Sequence, residues 1–278
     1  MSRQSTIIGV ALALLGSCGQ VLAKQSCERL AYLKLANTTI SGAHTVAAGT
    51  FVSPLPAGQD SAAVSFRALP AFCRISATIR PTKDSDIKVE VWMPAEGWNG
   101  KFRGTGNGGF AGSIGYAGIA TALRQDYATA STDTGHASPQ GTDARWALGH
   151  PEKVTDFGYR GIHEMTRIAK AVIKAFYGSD PRRSYFGSCS NGGRQALMEA
   201  QRFPSDYDGI LAGAPANFWT HLFDRALAGS RTVGGEGDCA FLDNRDEVRQ
   251  GRITDARQYD PSTVSLSAGR NVDGCGQY

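Results

Sequence analysis

Apolar and polar residues alternate over residues 87–93. This pattern predicts a half-exposed antiparallel β-strand. Two shorter runs that end in glycine-rich or polar turns, 101–104 and 127–132, predict further strands. Apolar residues three, four and seven positions apart predict a helix over 159–177 with one apolar face. The first part of the chain therefore alternates strands and helices.

A strand, a helix and a second strand follow in close succession. Residues 183–186 predict a strand, 192–202 a helix that ends before a proline, and 209–214 a buried strand. This spacing is typical of a parallel βαβ unit, so the sequence predicts an α/β fold. After about residue 225 the apolar periodicity fades and glycine and charge increase, which indicates a loop or a domain boundary.

Composition places the chain among globular proteins. It has 278 residues, a formal net charge of +4, 41% hydrophobic and 19% charged residues, which excludes a disordered chain. The small basic excess is spread along the sequence, so nucleic acid is not an expected partner. Glycine is high, at 34 residues without a repeat, so the glycines are expected to serve local turns.

The first 23 residues have the features of a secretory signal. Arg3 precedes an apolar run over 7–16, and Val21-Leu22-Ala23 is a small-residue cleavage pattern. The run is about half as long as a membrane-spanning helix, and no later stretch approaches the length of such a helix, so no membrane span is expected. We expect a secreted or periplasmic protein. The alternative is a lipoprotein signal acylated at Cys18.

Removal of the signal leaves five cysteines, an odd number in a chain that enters an oxidising compartment. They are Cys27, Cys73, Cys189, Cys239 and Cys275. Because five cysteines cannot all pair within one chain, the remaining thiol is free, bonded to another molecule or without its partner. Their spacing does not match a structural zinc site.

The strongest chemical signal is the segment 188–193, Ser-Cys-Ser-Asn-Gly-Gly, between a predicted strand and a predicted helix. A nucleophile elbow needs small residues two before and two after its serine, and Ser188 and Gly192 flank Ser190 in this way. The N–H of Asn191, at the helix start, is then a candidate oxyanion donor. The alternative is an ordinary glycine-rich turn with an incidental serine.

A glycine cluster after the 101–104 strand has three interpretations. In the first, the N–H groups of Gly108 and Gly109 supply the second oxyanion donor of an α/β-hydrolase. In the second, Gly104, Gly106 and Gly109 form a dinucleotide fingerprint, with Asp133 as the ribose acid of an NAD(P)-dependent oxidoreductase. In the third, the cluster is a plain turn.

Several sequence blocks, in the same order, resemble the tannase and feruloyl esterase family over about residues 27–222. They include Glu90-Val91-Trp92-Met93-Pro94, Gly106-Asn107-Gly108-Gly109-Phe110, Ser131-Thr132-Asp133-Thr134-Gly135-His136, Tyr185 to Pro215 and Gly193-Arg194-Gln195. The resemblance implies a secreted α/β-hydrolase that cleaves esters of plant phenolic acids, such as feruloyl or galloyl esters, including those of plant cell walls. A lid domain is expected after the strand that follows the elbow helix.

The resemblance also implies roles for single residues. Ser190 would be the nucleophile and Cys27 would pair with Cys73. Cys189 would bond to a cysteine beside the catalytic histidine, which is expected to be missing here. The family's acid and base lie in a C-terminal region that this chain is expected not to reach, so the protein is expected to be incomplete. A catalytically dead fragment that binds an ester or a partner is therefore an alternative to an active esterase.

The remaining histidines and acids give no clear base. His221 follows Ser190 but lies where the lid should begin, so it is a weak candidate. His136 and His163 precede Ser190 and are assigned structural roles. Asp206 and Asp208 flank a turn and are assigned as capping or solvated residues.

These expectations divide the chain into a signal peptide over 1–23, an incomplete α/β-hydrolase domain over 24–222 and a divergent or truncated lid over 223–278. The resemblance also implies a calcium-binding loop in the lid, and Asp243 is the residue that could remain as a ligand. A solvated loop is the alternative, because Ala240 and Gln250 stand where carboxylates are expected. No other cofactor is expected, and the sequence does not predict an oligomeric state.

Overall fold

The structure is a computed structural model that describes residues 25–55, 65–138, 141 and 143–219. Its centre is one seven-stranded mixed sheet in the order β1-β2-β3-β5-β4-β6-β7. Neighbouring strands are antiparallel from β1 to β5 and parallel from β5 to β7. The strands are β1 (Thr38–Val46), β2 (Phe72–Ile79), β3 (Ile87–Pro94), β4 (Lys101–Thr105), β5 (Ala128–Thr132), β6 (Arg183–Ser190) and β7 (Gly209–Pro215).

Helices cover both faces of the sheet. The helices are α1 (Tyr116–Leu123), α2 (Pro151–Thr155), α3 (Gly161–Tyr177) and α4 (Asn191–Arg202), and a π-helical turn, Asp156–Arg160, joins α2 to α3. The apolar positions of α3 are buried, and the helix ends at Gly178 in the left-handed conformation (φ 78°). α1 packs in one apolar cluster, and α3 packs with α4 in the other. The α/β class predicted from the sequence is confirmed.

The prediction that residues 87–93 form a half-exposed strand is wrong. All of β3 except Lys88 is buried, because each face of the strand has a helix on it. Trp92 packs in the cluster of α1, whereas Val91 packs in the cluster of α3. Lys88 alone keeps the polar alternation that the sequence pattern suggested.

β6, α4 and β7 form the predicted parallel βαβ unit, but β7 is not the buried strand that its apolar run suggested. Its residues are partly or fully exposed, and Leu211 has 68% of its surface in contact with solvent. β7 is the edge strand of the sheet within the part of the chain that the structure describes. An edge position leaves apolar side chains uncovered where a central position would bury them.

The predicted disulfide between Cys27 and Cys73 is confirmed. It joins the segment before β1 to β2, with the two Cα atoms 5.5 Å apart and both residues buried. Cys189 is also disulfide-bonded. The expectation that its family partner, a cysteine beside the catalytic histidine, is missing stays a prediction.

Two domain predictions lie outside the described residues, namely the signal over 1–23 and the lid over 223–278. Within the residues that are described, we find no helix that is both long and apolar enough to cross a bilayer.

Candidate active site

Ser190 occupies the turn that sequence reasoning assigned to it. It is the last residue of β6 and the N-cap of α4, with φ 58° and ψ −123°. A serine rarely adopts a positive φ, and such strained residues collect at functional sites. The side chain is exposed. A strand that ends in a strained, exposed serine followed at once by a helix has the geometry of a nucleophile elbow.

The small residues around Ser190 are required by close packing. A Cβ added at Gly192 would come closer than 3.0 Å to both Cβ and Oγ of Ser188. A Cβ added at Gly193 would come within 2.5 Å of the carbonyl oxygen of Gly213 on β7. The turn can therefore form only with minimal side chains at these positions, as the sequence pattern indicated.

Asn191 presents the first candidate oxyanion donor. It is the first residue of α4, so its backbone N–H has no acceptor within the helix. The positive end of the helix dipole points the same way and favours negative charge beside Ser190. The Asn191 side chain is buried, and its Oδ1 accepts a hydrogen bond from Nε of Arg194 at 2.8 Å. Asn191 is thus held in place through its side chain.

The glycine loop after β4 lies against this elbow. A Cβ added at Gly106 would be 2.9 Å from Cα of Gly192 and 3.0 Å from Cβ of Ser188. Gly108 and Gly109 follow on the exposed side of the loop, and their N–H groups donate to no acceptor among the described residues. The loop and the start of α4 therefore bring unused backbone donors to the same edge of the sheet.

The dinucleotide interpretation of this loop does not fit the structure. A fingerprint loop should open directly into a helix, yet α1 begins only at Tyr116. Oδ1 of Asp133 accepts hydrogen bonds from the N–H groups of Lys88 (2.9 Å) and Gly135 (2.8 Å), so the carboxylate is tied to the backbone of its own sheet. Gly104 lies within β4 and packs against Tyr207. These glycines serve close packing between elements.

Sequence reasoning gave no individual role to three polar residues at this site. Asn107 and Gln195 hydrogen-bond to each other between the loop and α4, and Arg194 supports Asn191. All three are buried, and burial lowers the pKa of Arg194 to about 10. The sequence carries no local signal for the pair of amides, because Asn107 and Gln195 are 88 positions apart.

Aromatic rings lie around Phe110, at the end of the glycine loop. The Phe110 ring lies 6.4 Å from Phe157 and 5.3 Å from Trp219, measured between ring centroids. His136 Nε2 donates to the carbonyl oxygen of Phe110 at 2.6 Å, and its ring stacks on Trp146 at 3.6 Å. Burial lowers the pKa of His136, which favours its neutral form. These contacts support the structural role predicted for His136.

His163 also has a structural environment. Its ring stacks on Phe203 at 3.9 Å, and Nδ1 donates to Oδ2 of Asp206 at 2.7 Å. This pair lies beyond the C-terminal end of α4, a 12-residue helix that is about 18 Å long, whereas Ser190 precedes the N-terminal end. The pair cannot serve Ser190. Asp206 is mostly buried, which corrects its assignment as a capping or solvated residue.

The acid and base of a serine hydrolase are not assembled within the described residues, where the Ser190 side chain makes no hydrogen bond. His221, Asp243, Cys239 and Cys275 lie outside them. In the same described part of the chain, no group of three or more histidine, cysteine or acidic side chains could hold a metal ion. The calcium prediction at Asp243 is therefore untested.

Comparisons with known proteins identify a family. The family model "Tannase and feruloyl esterase" matches residues 73–243. An uncharacterized esterase of Xanthomonas campestris pv. campestris is 38% identical over 96% of this chain and 48% of its own length. A probable feruloyl esterase B-2 of Neosartorya fischeri is 36% identical over 83% of this chain and 44% of its own.

A solved structure shows the same fold. The crystal structure of feruloyl esterase B from Aspergillus oryzae superposes with a TM-score of 0.61 at 33% identity, over 69% of this chain and 37% of that one. The α/β-hydrolase fold expected from the sequence is thereby confirmed. The chain spans about half the length of the curated relatives it matches. By its family match and its relatives, the chain belongs to the tannase and feruloyl esterase family.

Proposed function

We propose that the protein is a serine carboxylic ester hydrolase in which Ser190 is the nucleophile. The backbone conformation of Ser190 is the observation that carries this proposal. Ser190 has a positive φ at a strand-to-helix turn, and in a nucleophile elbow this conformation exposes Oγ above the sheet. The N-terminus of α4 follows directly, beside Oγ. The family match and the esterase names of its relatives support the same class.

The chemistry follows from the positions of the donors. Oγ of Ser190 attacks the ester carbonyl carbon, and the carbonyl oxygen becomes an oxyanion that the N–H groups of Asn191, Gly108 and Gly109 stabilise. Collapse of this intermediate releases the alcohol and leaves an acyl-serine, which water hydrolyses to the acid. Both steps need a base to accept and return the proton. That base comes from outside the described residues.

We propose phenolic-acid esters, feruloyl or galloyl, as the substrates. Relatives named feruloyl esterases support this class. The rings of Phe110, Phe157 and Trp219 lie beside the oxyanion loop, and aromatic surface of this kind suits the ring of a phenolic acid. We further propose a secreted or periplasmic location, which the Cys27–Cys73 disulfide supports because disulfides persist in oxidising compartments.

A covalent probe tests the nucleophile. We expect an alkyl organophosphonate to label the wild-type chain at Ser190 and to leave Ser190→Ala unlabelled. Ser205→Ala, which removes an exposed serine beyond α4, is the matched control and should label as wild type does. Equal labelling of wild type and Ser190→Ala would contradict the assignment.

Turnover tests the substrate class. Release of ferulate from methyl ferulate or of gallate from methyl gallate by wild type, and not by Ser190→Ala, supports the proposal. Labelling at Ser190 without hydrolysis of either ester would instead favour the alternative in which this chain binds esters without turning them over.

A further inference from the structure

Two hydrogen bonds join the oxyanion loop to the elbow helix. The backbone N–H of Asn107 donates to Oε1 of Gln195 at 3.0 Å, and Nε2 of Gln195 donates to Oδ1 of Asn107 at 3.1 Å. Both residues are buried, with 7% and 2% of their surface exposed. The two residues are 88 positions apart in the sequence, so this paired contact is a tertiary link between separate elements.

The rest of the Asn107 side chain is anchored as well. Its Nδ2 donates to the carbonyl oxygens of Thr132 at 2.7 Å and Ser113 at 2.9 Å. Asn107 therefore connects the end of β5, the segment before α1 and the helix α4. Since buried amides are costly to leave unsatisfied, such a fully bonded network specifies one position for the loop.

The contact between Asn107 and Gln195 lies close in sequence to the candidate oxyanion donors on both elements. Gln195 lies four residues after Asn191 on α4, so the two residues share one helix face. On the other element, Asn107 directly precedes Gly108 and Gly109. One paired contact thus sets the distance between the two groups of candidate oxyanion donors, the N–H of Asn191 and the N–H groups of the glycines.

We propose that Gln195 and Asn107 are positioning residues that hold the two halves of the oxyanion hole in register. The inference rests on the proposed function, since it assigns these residues to the transition state formed at Ser190. Both side chains are buried, so the proposed role acts through the backbone donors beside them. A pair that only filled space would accept an apolar residue of equal size, whereas a positioning pair needs both hydrogen bonds.

Kinetics with two variants test the proposal in the full chain. Gln195→Met keeps a side chain of similar length and removes both hydrogen bonds, and we expect kcat on methyl ferulate to fall about 10- to 100-fold while KM changes less than about threefold. Gln201→Met, at an exposed glutamine of the same helix, is the control and should keep the wild-type kcat. A wild-type kcat in Gln195→Met would overturn the proposal.

The second variant, Gln195→Glu, adds a pH readout. When the introduced carboxyl group is protonated, it can donate to Oδ1 of Asn107 and accept from the Asn107 N–H, whereas its ionised form places a negative oxygen against Oδ1. We expect the ratio of wild-type to variant kcat to rise as pH increases from about 5 to about 9. A ratio that does not change with pH would indicate a packing role only and would count against positioning.

Amide hydrogen exchange tests the positioning role of Gln195 even if the chain shows no turnover. We expect exchange in the peptide over 106–110 to become at least about tenfold faster in Gln195→Met, because the loop has lost its link to α4. Exchange in Gln201→Met should match wild type. Unchanged exchange in Gln195→Met would overturn the positioning role, whereas absent turnover with faster exchange would contradict only the proposed function.

Discussion

Arg194 and Phe157 are joined by two contacts. The guanidinium carbon of Arg194 lies 4.6 Å from the centroid of the Phe157 ring, and Nη2 donates to the Phe157 carbonyl oxygen at 3.0 Å. Nη1 donates in the same way to the carbonyl oxygen of Gly158 at 2.8 Å. Both carbonyls belong to the π-helical turn Asp156–Arg160, where the regular helical bonding pattern changes. Arg194 therefore ties this turn to the start of α4.

We expect Arg194→Met to lower the free energy of unfolding by about 2–3 kcal/mol, since three acceptors lose a charged donor in a buried site. Urea denaturation measures this loss. Arg194→Lys should also destabilise, because an ammonium group cannot reach three separate acceptors as a planar guanidinium does.

The matched control for Arg194 is Arg202→Met at the other end of α4. Arg202 is exposed and lies over the Tyr159 ring at 4.3 Å, so its loss should cost less than about 1 kcal/mol. Equal losses in the two methionine variants would show that the carbonyl contacts of Arg194 add nothing.

Because Ser188 and Gly192 are in close contact, we expect a methyl group added at Gly192 to have a strong effect on stability. Gly192→Ala should destabilise the fold by about 1–3 kcal/mol through overpacking and displace the elbow. Thermal unfolding and organophosphonate labelling of Ser190 measure the two effects. Gly158→Ala is the control, because nothing lies within 4 Å of a Cβ added there, and it should be neutral or slightly stabilising.

A second substitution tests whether Ser188 is the cause of that clash. Removing its side chain in Ser188→Gly/Gly192→Ala makes room for the new methyl group, so the double variant should recover part of the lost stability and labelling. A double variant that is worse than Gly192→Ala alone would place the strain elsewhere.

Glu199 predicts a fall in stability at alkaline pH. This residue is fully buried on α4, and burial, followed by the nearby charge of Asp206, raises its pKa to about 9, with Lys170 acting in the opposite direction. Since the folded protein holds a proton that the unfolded chain releases, the free energy of unfolding should fall as pH rises from about 7.5 to 9, by up to about 1.4 kcal/mol per pH unit.

Glu199→Gln removes this titration and should flatten the pH dependence of stability in that range. Urea denaturation at about pH 7.5, 8.2 and 9 compares the two proteins. Burial also raises the pKa of Asp133, to about 7. Asp133 therefore affects stability mainly at lower pH, and it is present in both proteins, so it does not alter the difference between their slopes. An equal slope in both proteins would mean that Glu199 is already ionised at neutral pH.

Loss of the Cys27–Cys73 disulfide should destabilise the N-terminal part of the sheet. The bond closes a loop with a sequence separation of 46, so Cys27→Ala/Cys73→Ala should lower the free energy of unfolding by about 2–4 kcal/mol. Substitution is preferable to a reducing agent, because Cys189 is also disulfide-bonded. A melting temperature equal to that of wild type would contradict a stabilising role for this bond.

Features that depend on residues close together in the sequence could be determined from the sequence alone. The helix α3 follows from apolar spacing and a terminal glycine, and its core positions are buried as that spacing requires. Ser190 could be placed at an elbow because strand, small residues and helix adjoin one another in the chain. Local sterics and periodicity act over a few residues, so a single sequence contains them.

Features that depend on what packs against an element were decided only by the tertiary structure. β3 is buried on both faces because helices cover both, and β7 is partly exposed because it lies at the edge of the described sheet. The pairing of Asn107 with Gln195 is of the same kind. Neither amide stands out within its own segment, and only the folded sheet brings them within hydrogen-bond distance, where burial makes each satisfy the other.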